Sequence, residues 1–236
     1  MCKAIVITPV KDSLVSTLET IRAITSSNVS VDYYVYNDFS TFETKEALEK
    51  GAQSLNFTLI NLEDITQTPS PNYKLVLQLA QKQALEQNLP LIIVESDVTI
   101  QPDTFSKMIQ FNEEYKSVGM IGAITVDASK KVNFPYLKFK NNKEAVIETN
   151  RSLSFCCTLL TVDYLKKFDF KQLDKTKDWY DTVISMKAIE LGFKNYVLMD
   201  TPVLHKPHSS RPWKLLKYEN PLKYYFLKFI KRRDKI

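Results

Sequence analysis

Along the first half of the chain, short runs of branched aliphatic residues alternate with longer stretches whose apolar positions recur at helical spacing. The runs Ala4–Thr8, Asp32–Tyr36, Asn56–Leu62 and Leu91–Val94 predict strands, and Leu14–Thr25, Thr44–Gln53, Tyr73–Gln87 and Thr104–Asn112 predict the helices between and after them. Such alternation is the pattern of an α/β protein: a Rossmann-like, mostly parallel central sheet with right-handed crossovers, helices on both faces and functional loops at the strand ends. Val118–Thr125 predicts a further strand. Asp127–Arg151 then breaks the pattern, being polar, rich in Lys and Asn and weakly periodic, with Val132–Phe139 and Ala145–Ile147 as a candidate strand pair. This segment is expected to be mobile and to face substrate. Order resumes with a strand at Ser154–Thr161, helices at Val162–Phe168 and Tyr180–Leu191, and a last strand at Asn195–Met199.

The run Leu91-Ile92-Ile93-Val94 stops abruptly at Glu95-Ser96-Asp97. Four branched aliphatics after Pro90 suit a strand covered on both faces, and the carboxyl end of such a strand is where open α/β sheets place their ligands. Acidic residues two positions apart bring two carboxylates to one edge, and hard cations such as Mg²⁺ or Mn²⁺ prefer oxygen ligands. A polar strand end without a metal has the same appearance, so the motif alone leaves both readings open.

Composition narrows the function classes. A chain of 236 residues with 44% hydrophobic content can bury a full core as one large domain or two small ones. Cys2, Cys156 and Cys157 are too few and too badly spaced for a disulfide framework or a four-ligand zinc site. The start at Met1-Cys2-Lys3 shows no signal-peptide pattern and no stretch reaches 18 apolar residues, so a cytoplasmic, reducing location is expected. None of the four glycines falls in a dinucleotide or P-loop pattern, and no G-x-S-x-G accompanies the two histidines, His205 and His208. If phosphates bind here, a metal is the expected holder.

Three segments taken in order carry a resemblance: Ala4-Ile-Val-Ile-Thr-Pro-Val-Lys11 with Tyr36-Asn-Asp-Phe-Ser40, then Ile93-Val-Glu-Ser-Asp-Val98, then Trp179-Tyr-Asp181 followed by Gly192 and His205. The chain resembles a family 2 glycosyltransferase of the GT-A fold over residues 3 to 208. The resemblance implies a glycosyltransferase domain at 1–208 followed by a separate segment at 209–236. It implies a metal-dependent, inverting transfer from a nucleotide-sugar, UDP-linked donor to a glycan or lipid-linked acceptor in surface polysaccharide synthesis. Thr8, Pro9 and Val10 would line the base pocket, and Asp38 would accept a hydrogen bond from base or ribose, its alternative being an Asx-turn in Asn37-Asp38-Phe39-Ser40.

The same resemblance implies that Asp97 binds the Mn²⁺ or Mg²⁺ bridging the donor pyrophosphate. Glu95, in place of the usual Asp, and Ser96 would join the donor site. Asp181, eleven residues before Gly192, would be the general base, its alternative being a helix-capping acid with Asp178. Tyr180 stands where the family usually has an acid. His205 would complete the metal or diphosphate site, with His208 a weaker candidate. Asn72, Lys74, Gln78 and Gln81 are the candidate phosphate contacts on the helix before the acidic motif, Lys74 entering the donor-binding set. Phe155, Cys156 and Cys157 fall where the family's acceptor-side strands sit, although the two cysteines read rather as small core residues. Two other functions stay open: a catalytically inactive GT-A scaffold subunit, and a sugar nucleotidyltransferase, although the latter usually carries a Gly-rich loop where Thr8-Pro9-Val10-Lys11-Asp12 has none.

From Lys206 to Ile236 there are ten Lys or Arg against two acidic residues, whereas the whole chain carries only +5. The body is therefore slightly acidic, which argues against nucleic-acid binding and for a local contact of the tail with an anionic surface. Asn220 and Pro221 suit an N-cap and first helical residue, after which Leu222, Tyr225, Phe226 and Phe229 share one face, with Lys223, Lys228, Lys231, Arg232 and Arg233 around it. Peripheral binding to the inner face of a membrane and packing on the catalytic domain are both open.

Overall fold

The computed structural model describes residues 2–174, 179–206 and 220–230, without the side chains of 221 and 227–230. The chain divides into two compact units, Met1–Lys206 and Pro207–Ile236. Among the described residues of the first unit, nine strands form one sheet: β1 (Ile5–Val10), β2 (Asp32–Asn37), β3 (Thr58–Asn61), β4 (Leu91–Val94), β5 (Val98–Thr99), β6 (Val118–Val126), β7 (Val146–Glu148), β8 (Cys157–Leu160) and β9 (Lys194–His205). Their order is β3-β2-β1-β4-β8-β6-β9-β5, with β7 also paired to β9. Strands β1, β2, β3, β4, β6 and β9 share one direction, as the alternation predicts, whereas β5, β7 and β8 run against them.

Side chains alternate between two apolar layers, as a strand period of two requires. Ile5, Ile7, Leu91 and Ile93 face α3 (Tyr73–Gln87) and α6 (Tyr180–Glu190) through Val76, Leu77, Ala80, Ile184 and Ala188. Val6, Ile92 and Val94 face α1 (Leu14–Thr25) and α4 (Thr104–Glu114) through Ile21, Ile24, Phe105 and Met108. The remaining helices are α2 (Phe42–Ser54) and α5 (Val162–Lys167). Each fully buried aliphatic side chain contributes about 1.5–3 kcal/mol, so β4, buried along its whole length, is a rigid base for the residues that follow it.

The strand pair expected at Val132–Phe139 and Ala145–Ile147 does not form. Val132 makes one bridge to Val126, and Leu137–Phe139 is a single 3-10 turn. Val146–Glu148 pairs instead with Tyr196–Leu198 of β9. Pro135 explains the break, since it has no N–H for a ladder, and Tyr136 N–H donates to the Asn133 carbonyl in a turn. The buried Tyr136 then sits over Gly122, where a Cβ would lie 2.5 Å from the phenol oxygen, so only glycine lets the ring in.

The last strand runs further than Asn195–Met199 because β9 bulges: Ala123 and Thr125 of β6 oppose Leu198 and Val203. Pro202 lies in that irregularity, where no ladder N–H is required of it. The bulge lets β9 resume and end at His205. Helix α6 ends at Gly192 as its position predicts. With φ +85°, Gly192 donates to the Ile189 carbonyl while Phe193 N–H reaches Ala188, a Schellman closure that favours glycine.

In the second unit a helix spans Pro221–Ile230. Asn220 caps it as expected, its Oδ1 accepting from Lys223 N–H at 3.1 Å. Leu222, Tyr225 and Phe226 are exposed. The Phe229 side chain, Lys228 and the basic run at 231–233 lie outside the described residues or side chains. No described helix is long and apolar enough to cross a membrane.

Candidate active site

The shared strand direction puts the carboxyl ends of β1, β2, β4 and β9 along one edge of the sheet, and antiparallel β8 starts at that edge. Glu95 and Asp97 occupy the turn after β4, closed by Val98 N–H donating to the Glu95 carbonyl at 3.2 Å. The chain then pairs back as β5, with Val98 opposite His205, and Lys206 N–H donates to the Asp97 carbonyl at 2.9 Å. Backbone pairing alone therefore brings Asp97 and His205 together.

His205 Nε2 lies 3.5 Å from Asp97 Oδ2, both side chains being buried. Its Nδ1 is 2.6 Å from the Phe134 carbonyl, which can only accept, so Nδ1 carries the proton and Nε2 faces the carboxylate. This outward hydrogen bond is how metal-binding imidazoles are oriented. Burial opposes the charged imidazole, yet the Asp97 and Glu95 carboxylates and the Phe134 carbonyl outweigh it and raise the His205 pKa. Cys156 joins the group: its thiol lies 3.4 Å from Glu95 Oε2, and its carbonyl accepts from Glu95 N–H at 3.1 Å. Burial, first, and the charges of Glu95 and Asp97 push the Cys156 thiol well up.

On the β1 side, Thr8 and Val10 are buried, and Thr8 Oγ1 accepts from the Tyr33 phenol at 2.9 Å, so of the three expected pocket residues Pro9 has the exposed surface. Ser96 is half-buried between the two acids. Asp38 is buried and accepts from Ser70 Oγ, Asn72 N–H and Asn72 Nδ2, each at 2.8 Å. Among the described residues Asp38 makes no Asx-turn bond; the local side-chain bond belongs to its neighbour, Asn37 Oδ1 accepting from Ser40 N–H, three residues on, at 3.2 Å. Asp38 instead fastens the loop leading into α3.

The candidate phosphate contacts on α3 are engaged within the protein. The Lys74 ammonium meets the carbonyls of Lys171 and Leu173, and Gln78 Nε2 reaches Phe170. Gln81 bonds Leu165, Phe168 and Phe170. Together they hold residues 165–173 against α3. Asp181 is half-buried in the first turn of α6, where Oδ1 accepts from Thr182 N–H at 2.8 Å. Its neighbour Tyr180 is buried against Tyr73, ring centroids 6.3 Å apart, and Tyr73 meets Phe155 at 6.2 Å. An aromatic row thus links the start of α6 to the turn that holds Cys156, just before β8.

No protein-family model matches the chain, and no curated protein does. Solved structures do. TarS 1–349 from S. aureus superposes with a TM-score of 0.67 at 22% identity, over 86% of this chain and 60% of that one. The mannosyltransferase PcManGT from Pyrobaculum calidifontis, in complex with GDP-Man and Mn²⁺, gives 0.65 at 14% identity over 97% and 64%. GalNAc-T7 with UDP, GalNAc and Mn²⁺ gives 0.65 at 10% over 87% and 44%. The chain has the GT-A fold. It spans less than two thirds of each of these neighbours.

Glu95, Asp97 and His205, named from the sequence, lie together in this GT-A sheet, and Cys156, expected in the core, is buried in an apolar layer with its sulfur beside Glu95. Glu95 and Cys156 are 61 positions apart, and only the pairing of β4 with β8 makes them neighbours. Tyr180, where an acid is usual, serves packing instead. Packed against Tyr73, a phenol ring has more to bury there than a carboxylate would have. Asp178 and His208 lie outside the described residues.

Proposed function

We propose that this chain is a metal-dependent glycosyltransferase that moves a sugar, with inversion, from a UDP-linked donor to a glycan or lipid-linked acceptor in surface polysaccharide synthesis. The observation that carries the reading is the meeting of Glu95, Asp97 and His205 at the carboxyl edge of a GT-A sheet. The donor set fits a divalent ion: two carboxylates, and an imidazole whose other nitrogen is already bonded to a carbonyl. Asp97 and His205 would hold Mn²⁺ or Mg²⁺, with Glu95 beside them. Bound there, such an ion supplies Lewis-acid stabilisation of the departing diphosphate.

The chain's own groups do the rest. Pro9, backed by buried Thr8 and Val10, walls the base pocket. Asp38 holds the loop at Ser70 and Asn72 in place and offers its remaining lone pair to base or ribose. Ser96 contributes beside the acids, and Lys74 sets the position of residues 171–173 next to the donor. Asp181 takes the proton of the acceptor hydroxyl as its oxygen bonds to the anomeric carbon and the bond to the diphosphate breaks. Thermal unfolding against a panel of nucleotide-sugars tests the reading. With Mn²⁺ present, one donor at a hundred times its Kd should add about 2.7 kcal/mol of stability. A flat panel with both metals would refute it.

The exposed Leu222, Tyr225 and Phe226, with Lys223 beside them, support a second part of the proposal. The helix at Pro221–Ile230 lies in the surface of an anionic membrane, where a lipid-linked acceptor resides. Full-length protein should float with anionic liposomes and a chain ending at Tyr218 should not. Equal flotation of the two, or none by either, removes the membrane from the proposal.

A further inference from the structure

We infer that Cys156 is a cation ligand beside Glu95, Asp97 and His205, and that the site therefore prefers a thiophilic divalent ion, Zn²⁺ or Co²⁺ above Mn²⁺, and disfavours Mg²⁺. The inference rests on the metal reading above and adds the sulfur to it. Among the described residues, ligand atoms of Glu95, Cys156 and His205 all lie within 4.8 Å of one another. Asp97 Oδ2 is 3.5 Å from His205 Nε2, and Cys156 Sγ is 3.4 Å from Glu95 Oε2. Two atoms that share a cation at about 2.0–2.3 Å, at near-tetrahedral angles, stand roughly 3.3–3.7 Å apart. Both pairs have that separation.

The contrast with the adjacent cysteine is informative. Both cysteines are buried in the apolar layer over α4, but the Cys157 sulfur lies 3.9 Å from the Met108 sulfur. Cys156 instead turns its sulfur to a carboxylate at the sheet edge, with Ser154 Oγ at 3.4 Å on the other side. A thiol is only a weak donor, so this placement gains little from hydrogen bonding alone. The sulfur is held by sheet pairing: Val94 is paired with Cys157, and Glu95 N–H donates to the Cys156 carbonyl. His205, fixed through Nδ1 by Phe134, presents Nε2.

Thiolate ligands select softer ions, whereas Mg²⁺ takes oxygen almost exclusively and keeps its water. On binding, the sulfur–metal bond replaces the sulfur–hydrogen bond, and the proton passes to solvent, one per ion.

Titrating the full-length protein with Co²⁺ reads the sulfur directly, because a cobalt–thiolate bond gives an intense near-ultraviolet charge-transfer absorption that oxygen and nitrogen ligands lack. The wild type should show this band at one equivalent. Cys156→Ser should lose it and lower the preference for Zn²⁺ over Mg²⁺ about tenfold or more, while Cys157→Ser keeps it. Stoichiometric Co²⁺ binding without the band, still abolished by Asp97→Ala, would overturn the role of Cys156 and leave the metal reading standing. A band that survives in Cys156→Ser would assign another thiol and overturn it equally. Absence of any divalent-ion binding, with or without UDP, would remove both. Should Cys156→Ser not fold, a wild-type band that persists in both Cys157→Ser and Cys2→Ser assigns Cys156, and its loss in either one overturns that assignment.

Discussion

Replacing Asp97 by alanine should abolish Mn²⁺-dependent binding of a nucleoside diphosphate while the fold survives. A cation that neutralises diphosphate charge is worth several kcal/mol, and each 1.4 kcal/mol is tenfold in affinity, so the expected loss is about 100-fold or more. The turn itself does not depend on the carboxylate. Val98 N–H still donates to Glu95 and Lys206 N–H to the backbone carbonyl of residue 97, so β5 keeps its place beside β9. Calorimetry with UDP and Mn²⁺ measures the affinity, and circular dichroism the fold. A variant that keeps wild-type, metal-dependent affinity would take Asp97 out of the site.

Asp181→Asn separates a base from a helix cap. The amide retains an oxygen that can accept from Thr182 N–H, the bond made by Asp181 Oδ1, and so keeps that local contact. What it loses is a charge in the first turn of α6, worth about 0.3–1 kcal/mol to the helix, and the capacity to take a proton. Turnover should fall by about 10²–10⁴-fold with donor affinity almost unchanged and stability lowered by about 1 kcal/mol at most. Near-normal turnover, or a loss of activity that merely follows a loss of stability, would show that Asp181 caps a helix and does no more.

The α/β class, the carboxyl-edge location of the acids and the end of α6 at Gly192 were legible in the sequence because each rests on local signals. Those signals are a branched aliphatic run, an acidic pair two residues apart and a glycine at a position needing positive φ. What was not legible rests on pairing between distant segments. Nothing in Phe155-Cys156-Cys157-Thr158 says that β8 runs antiparallel between β4 and β6, so the nearness of Cys156, rightly read as core, to Glu95 was hidden. The length of β9 was hidden by Pro202, which punctuates the sequence but sits at a bulge in the structure. Lys74, Gln78 and Gln81 look like phosphate contacts by type and position. That they hold backbone carbonyls of residues 165–173 follows only from how α3 packs.

The pairing of Val98 with His205 also bears on how the protein is made. During synthesis Glu95 and Asp97 emerge together, Cys156 follows 61 residues after Glu95, and His205 comes only with the last turn of the sheet. From Asp97 until His205 is made the nascent chain carries the two carboxylates without the imidazole. On the metal reading proposed above, the imidazole joins the two carboxylates only when the final strand closes the edge.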